Sequence, residues 1–392
     1  MKIIFLTLFS FISLFLFGQD STRTYYPNST VLKEIYLVNT EGDKNGLYKI
    51  FHKNGTLWQE GLYKNGHLEG KWLDYYSTGQ LKQDLFFVKS KLEGKSTTYY
   101  PYGEVRQVMH YKNDVQDGEL TIYHENGNLK EVSNYIKGIP NGNFKGYYSN
   151  GKLRYETTMI NGLANGNWTA YFDNGNIQEK TTKIKGVLNG QFLGFHKDYA
   201  NVIQKKCYYE NNLLVKEFKG FYPSGNLMNT YSYVNNKIEG QYTEYFDLDS
   251  SVVFRSGKYI NNIKAGIWKT FYPNSQPYYY GNYTKGVKEG EWVVYYKNGN
   301  IKQKGDYKNN IEINTWYFFT KKGVLSHKGA YSNGERHGKW SYYYESQNIK
   351  VEHLYLNGLR NGIGIAYNRE GKVVEKALYK DDLIIKNLMP IK

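Results

Sequence analysis

The sequence predicts an all-β fold: an elongated, antiparallel, single-sheet array of stacked β-hairpins, built from about fourteen 24-residue units. Three observations predict it: a glycine recurring every 24 residues, an aromatic residue five positions after each recurrence, and two turn signals in every period. Composition agrees with them. The 392 residues include 42 Tyr, 19 Phe and 7 Trp beside 40 Gly and only 7 Pro. That mixture suits pleated, half-buried strands and tight turns better than helices, in which each Gly costs about 1 kcal/mol relative to Ala. So regular a period overrides the two or three globular domains that length alone suggests.

The glycine slot, taken as position 0, is filled by Gly46, Gly70, Gly94, Gly118, Gly142, Gly166 and Gly190. After a two-residue insertion between Asp198 and Gln204 it continues at Lys216 and Gly240. After a second insertion near Asp249 to Val253 it continues at Gly266, Gly290, Asn314, Gly338 and Gly362. The segment Tyr25-Tyr26-Pro27-Asn28 already matches the middle of a unit, and Tyr379 to Ile385 forms a closing half-unit. Residues 20–392 therefore read as one continuous array.

Position 5 is Phe or Tyr in all fourteen units, from Phe51 to Tyr367. Position 11 is usually aliphatic, as in Leu57, Leu81 and Ile301, and position 17 is usually aromatic, as in Tyr63, Phe87 and Tyr283. These three columns are the expected core. The first turn is x-Asn-Gly, ending at Gly55, Gly127 or Gly299. Its middle residue can be Tyr102 or Leu248, which tolerate a left-handed backbone poorly, so a three-residue loop closed by a left-handed Gly is expected. The second turn carries only Gly, Asn, Asp or Ser at position 20. With a three-residue first loop, period-two alternation places positions 5, 11 and 17 on one face. The other face then holds position 2 (Tyr48, Trp72, Phe144, Trp168, Trp268, Trp292, Trp316, Trp340) and the variable position 6; a bulge would swap this assignment.

The leader MKIIFLTLFSFISLFLFGQD has a cation at Lys2, an apolar stretch from Ile3 to Phe17, then small and polar residues, and reads as a signal peptide over residues 1–19. Cleavage is expected near Gly18 or Gln19, and a membrane anchor is the alternative. The chain is then exported: periplasmic, cell-surface or secreted, with no membrane span after the signal. The net charge of +15 favours anionic partners, and export argues against nucleic acid. The single Cys207 leaves no disulfide framework or thiolate metal cluster and reads as a packed residue.

Units such as Tyr-Lys-Asn-Gly-His-Leu-Glu-Gly-Lys-Trp-Leu-Asp-Tyr-Tyr-Ser-Thr-Gly-Gln-Leu from Tyr63, and Tyr-Thr-Lys-Gly-Val-Lys-Glu-Gly-Glu-Trp-Val-Val-Tyr-Tyr-Lys-Asn-Gly-Asn-Ile from Tyr283, resemble MORN repeats. More narrowly, they resemble the bacterial variant of antitoxin-like proteins. The resemblance covers nearly the whole array. It implies a β-hairpin array with a binding or scaffolding role and no reaction.

No catalytic, cofactor or metal site is expected. His52, His124 and His196 share position 6 but stand 72 residues apart, roughly 29 Å for three stacked hairpins, too far for one ion. Carboxylates recur just before the slot at Glu69, Glu93, Asp117, Glu239 and Glu289, but Asn141, Asn165 and Asn189 fill the same column, as a turn residue would. The expected function is a non-catalytic scaffold for a protein or cell-envelope component, with carbohydrate, cell-wall or anionic-lipid binding as the alternative. Trp268, Trp292, Trp316 and Trp340 form the most uniform aromatic row, and with Tyr296 and Tyr344 they are the candidate ligand-binding residues.

Overall fold

Every repeat folds as two strands and two turns of different kinds, and the difference between the turns sets where each side chain points. The computed structural model describes residues 21–389; the signal expected over residues 1–19 lies outside the described residues. These contain 35 strands of antiparallel sheet and no helix. Contacts gather them into two units, one reaching Gly175 with Ile184–Gly186, the other comprising Asn176–Lys183 with Val187 onward.

In the first unit Lys44–Phe51, Leu57–Lys64, His67–Tyr75 and Leu81–Val88 pair in chain order. Phe51 faces Leu57, Gly46 faces Tyr63, Gly61 faces Trp72 and Lys64 faces His67. The second unit repeats the register: Phe271 faces Pro277, Gly266 faces Tyr283, Gly281 faces Trp292 and Thr284 faces Val287.

The first turn is the expected three-residue loop. The His52 N–H donates to the Thr56 carbonyl at 2.8 Å and the Gly55 N–H to the His52 carbonyl at 2.9 Å, with Gly55 at φ +85°. The two insertions lengthen this loop, so that His196 reaches Val202 and Phe246 reaches Val252. The second turn is a two-residue loop with both residues left-handed, as at Asn65 (φ 49°) and Gly66 (φ 75°), or Asn309 (φ 52°) and Asn310 (φ 69°). This type I′ geometry matches the twist of the strands it joins.

The slot residue is not in a turn. Gly61 faces Trp72 while the adjacent Leu62 faces Glu69, so Gly70 and Lys71 are extra residues in a bulge. All fourteen slots are left-handed, including Lys216 at φ 63° and Asn314 at φ 58°, which explains the preference for Gly there.

A second bulge corrects the expected face assignment. Ile50 faces Gln59 and Phe51 faces Leu57, leaving Trp58 at position 12 without an opposite residue. One extra residue reverses the alternation. Positions 5 and 11 do share a face, but position 17 joins position 2 on the other, where Tyr63 meets Trp72 edge-on at 5.9 Å. The predicted core of positions 5, 11 and 17 is thereby divided. The deepest burial lies in the row of positions 2 and 15, which holds the three largest fully buried side chains, Trp340, Cys207 and Ser133. Cys207 is a packed residue, facing Phe192, with its thiol pushed up by burial.

Side chains then staple each hairpin to the next. Position-6 tyrosines donate to the position-5 carbonyl one repeat on, as Tyr76 does to Tyr99 at 2.8 Å and Tyr222 to Tyr245 at 2.9 Å. Asn54 and Asn298 reach the Ser77 and Lys321 carbonyls across the first turns at 2.9 and 2.8 Å. Among the described residues no helix is long and apolar enough to cross a membrane.

Candidate binding surface

The tryptophan row is built by pairing the largest side chain with the smallest. In four successive repeats of the second unit position 15 is glycine: Gly257, Gly281, Gly305 and Gly329. The indole of Trp268, Trp292, Trp316 or Trp340 lies over each, so closely that a Cβ on the glycine would stand 2.1–2.5 Å from three of its ring atoms. Trp292 is also flanked edge-on by Tyr283 at 5.3 Å and Tyr307 at 5.8 Å. Its Nε1 donates to the Asn282 carbonyl at 3.3 Å, as Trp340 Nε1 does to the Ala330 carbonyl at 3.0 Å. The four indoles are 3%, 4%, 3% and 0% exposed in that order. The glycine beneath and the tyrosines beside each ring enclose it, so these four candidate residues present little of their surface to solvent.

Tyr296 and Tyr344 lie apart from that row, at the first turns. They donate to the Phe319 and Tyr367 carbonyls at 2.8 and 2.9 Å. The side chain from the position-12 bulge can lie over a position-6 ring: Lys350 Nζ is 5.7 Å from the Tyr344 centroid, and Arg154 is 5.8 Å from Tyr148 in the first unit.

Cations, which the sequence reading left unassigned, sit on the tryptophan face two residues before the slot. Lys264 Nζ is 4.3 Å from the Trp268 ring and 5.1 Å from Tyr283; Lys288 is 4.7 Å from Trp292 and 4.5 Å from Tyr307. Arg336 lies 4.5 Å from Trp340 and 5.5 Å from Tyr355, and Arg360 4.6 Å from Tyr379. Burial, with Arg255 nearby, lowers the Lys264 pKa, as partial desolvation of an ammonium should. Lys44 repeats the arrangement in the first unit, over Tyr36, Tyr48 and Tyr63.

The groups that suggested chemistry are engaged elsewhere. Glu69, Glu93 and Glu289 accept the backbone N–H of Lys89, Asn113 and Asn309 at 2.9, 2.9 and 3.0 Å, closing the second turn of their own repeat. Asn165 does the same for Lys185 at 3.0 Å, which is why Asn and Glu interchange there. His52, His124 and His196 bond the carbonyls of Tyr75, Tyr147 and Phe221 at 3.3, 3.1 and 3.0 Å, replacing the tyrosine hydroxyl in the interhairpin ladder. The Tyr/His interchange at position 6 was the signal for this ladder.

An unlayered array of hairpins joined by alternating three-residue and type I′ turns defines a β-hairpin repeat protein. The pattern of the MORN repeat variant matches ten stretches, 44–65, 68–89, 92–113, 116–137, 140–161, 164–182, 214–235, 264–285, 288–309 and 336–357, more than half of the chain. The chain belongs to the MORN repeat family. No curated protein matches it. Among solved structures it is similar to the crystal structure of TcdB2-TccC3-Cdc42, at 10% identity over 94% of this chain and 25% of that one, with a TM-score of 0.16. It is also similar to that of TcdB2-TccC3, at 10% identity over 92% and 28%, with a TM-score of 0.14. The chain thus spans about a quarter of those chains' length, and at such scores the likeness carries no argument.

Proposed function

We propose that this chain is a non-catalytic, exported scaffold that engages a protein or a cell-envelope component through the basic, aromatic surface of its sheet. MORN repeats suggest a scaffold for protein or membrane interaction, and the leader sequence supports export. The observation that carries the reading is the row of half-buried cations, Lys264, Lys288, Arg336 and Arg360, held over aromatic rings. Lys264 and Lys288 stand one repeat apart, and so do Arg336 and Arg360, at about 10 Å for two strands, with Glu312 at the same position of the repeat between the two pairs. An anionic partner meets prepositioned charge there. The carboxylates before the slot and the position-6 histidines, bound into turns and ladders, support a structural use of these groups.

A second reading, binding of carbohydrate or cell-wall polymer, is favoured by a mostly apolar hollow of about 350 Å³ on the opposite face. Ile267, Phe271, Tyr280 and Tyr295 line it, with rings fit to stack on a sugar. Retention of the mature chain on envelope extract, peptidoglycan, glucan and anionic liposomes, at low and high salt, tests both. Salt-sensitive retention of an envelope component supports the scaffold, salt-resistant retention on glucan alone favours the second reading, and no retention on any of the four sinks both.

A further inference from the structure

The tryptophan-over-glycine pattern inverts at the last full repeat. Position 15 is His353 there, and position 2 of the following strand is Gly364, where a Cβ would meet His353 Nδ1 at 2.6 Å. An imidazole fills less of the row than an indole. Beside it an open hollow of about 330 Å³ lies on the tryptophan face, lined by Tyr342, Lys350, Val351, His353, Tyr355 and Arg360. That volume is near the lower end of the about 300–1,000 Å³ common for small-molecule sites.

The lining is rich in donors and holds no carboxylate. Arg336 Nη1 donates to the Tyr342 hydroxyl at 3.3 Å and the Tyr355 hydroxyl at 3.5 Å. Both phenol oxygens thus accept, and at most one of their two protons is used if the phenols bond each other, so one remains free to donate to a ligand. Burial, then Tyr355, pushes the Tyr342 phenol up to about 12, which keeps that proton on at neutral pH. Among the described residues no carboxylate reaches Arg336. Arg360 is fixed by Asp382 at 3.0 Å and adds a guanidinium, and Lys350 adds an ammonium. His353 Nδ1 is buried with no hydrogen-bond partner, and burial lowers the imidazole's pKa, favouring the neutral ring. A ligand complementary to this lining brings negative charge and several oxygen acceptors.

We propose that the hollow beside His353 binds an acidic sugar residue, a polyhydroxylated ring bearing a carboxylate, with the carboxylate toward Lys350 and Arg360. Its open side suits one residue of a longer polymer. The proposal rests on the reading of a cell-envelope ligand.

Titration calorimetry of the full mature chain tests it with tetragalacturonate, neutral maltotetraose and acetate as probes. Tetragalacturonate is expected to bind saturably and at least about tenfold tighter than either control. Lys350→Ala and Tyr342→Phe are each expected to weaken it about tenfold in a chain that remains folded, the loss of one charge-assisted or buried hydrogen bond. Equal binding of acetate makes the hollow a simple anion site, equal binding of maltotetraose removes the carboxylate's role, and no binding or unaffected variants leave no site at all; each overturns the proposal. The broader reading is judged separately. Envelope retention that persists in both variants, without tetragalacturonate binding, sinks the hollow but keeps the scaffold; tetragalacturonate binding without envelope retention sinks the scaffold alone.

Discussion

Gly281 has no side chain because the Trp292 indole occupies the space where its Cβ would stand. Gly281→Ala must therefore displace a ring that is 4% exposed, at a cost of about 2–3 kcal/mol for overpacking. Trp292→Ala removes the ring and leaves its tyrosine neighbours facing a void, at about 3–5 kcal/mol. Because the two lesions share one contact, the double variant should lose clearly less than their sum; additive losses in urea denaturation would show that ring and glycine do not interact. Asn314 supplies the opposite sign. It holds φ 58° at a slot filled by glycine in twelve of fourteen repeats, and its side chain bonds Asp306 at 3.1 Å, on the surface. Asn314→Gly relieves the left-handed backbone and is expected to change stability by no more than about 1 kcal/mol, in the stabilising direction. A loss above that in the same titration would mean the Asp306 bond outweighs the strain.

At the scale of the hairpin, stability rests on polar side chains that close each turn. Glu289 accepts the Asn309 N–H at 3.0 Å on an exposed edge, so Glu289→Ala should cost about 0.5–1.5 kcal/mol while Glu289→Asn stays within about 0.5 kcal/mol of the parent. Equal damage from both substitutions would require the negative charge itself. The two turns, the repeat boundaries and the Phe51–Leu57 pairing were legible in the sequence because each is fixed by a residue type that few alternatives satisfy. The position-12 bulge was not. Its residue is Trp58, Lys82, Arg154 or Phe254, a set without a common backbone preference, so nothing marks the place where alternation reverses. The site suffered from the same bulge. The aromatic columns were found, but position 17 was put on the wrong face, and the cations two residues before the slot gained meaning only once Lys288 was seen over the Trp292 ring. A missed sequence signal was available: Gly61, Gly257, Gly281, Gly305 and Gly329 each stand eleven residues before a Trp.

Over the whole molecule the tyrosines make stability depend on alkaline pH. Burial first, and hydrogen bonds second, push Tyr75, Tyr171, Tyr242, Tyr295 and Tyr342 up to about 12 from the ordinary 10.0. A raised folded pKa means that the native state holds its protons longer, so this contribution is complete below pH 10 and is lost as pH rises from there through about 12. Denaturation midpoints at pH 8, 10 and 11.5 should fall only in the last step; phenolate absorbance rising uniformly at pH 10 in the folded chain would contradict it. Repetition also makes stability local. Each hairpin bonds its neighbours in sequence, through ladders such as Tyr272 to Tyr295 and Tyr296 to Phe319, at 3.1 and 2.8 Å, and no second layer of structure ties distant repeats together among the described residues. An array of that kind loses free energy mainly at the lesion and its nearest neighbours. Hydrogen exchange of Trp292→Ala should therefore lose amide protection in Pro277–Thr284, Val287–Tyr295 and Ile301–Lys308, the strands that contact the missing ring. The first unit's Lys44–Phe51 and Leu57–Lys64 should exchange as in the parent. Uniform loss in both units would show that the repeats unfold as one cooperative body, and the nearest-neighbour description would fail.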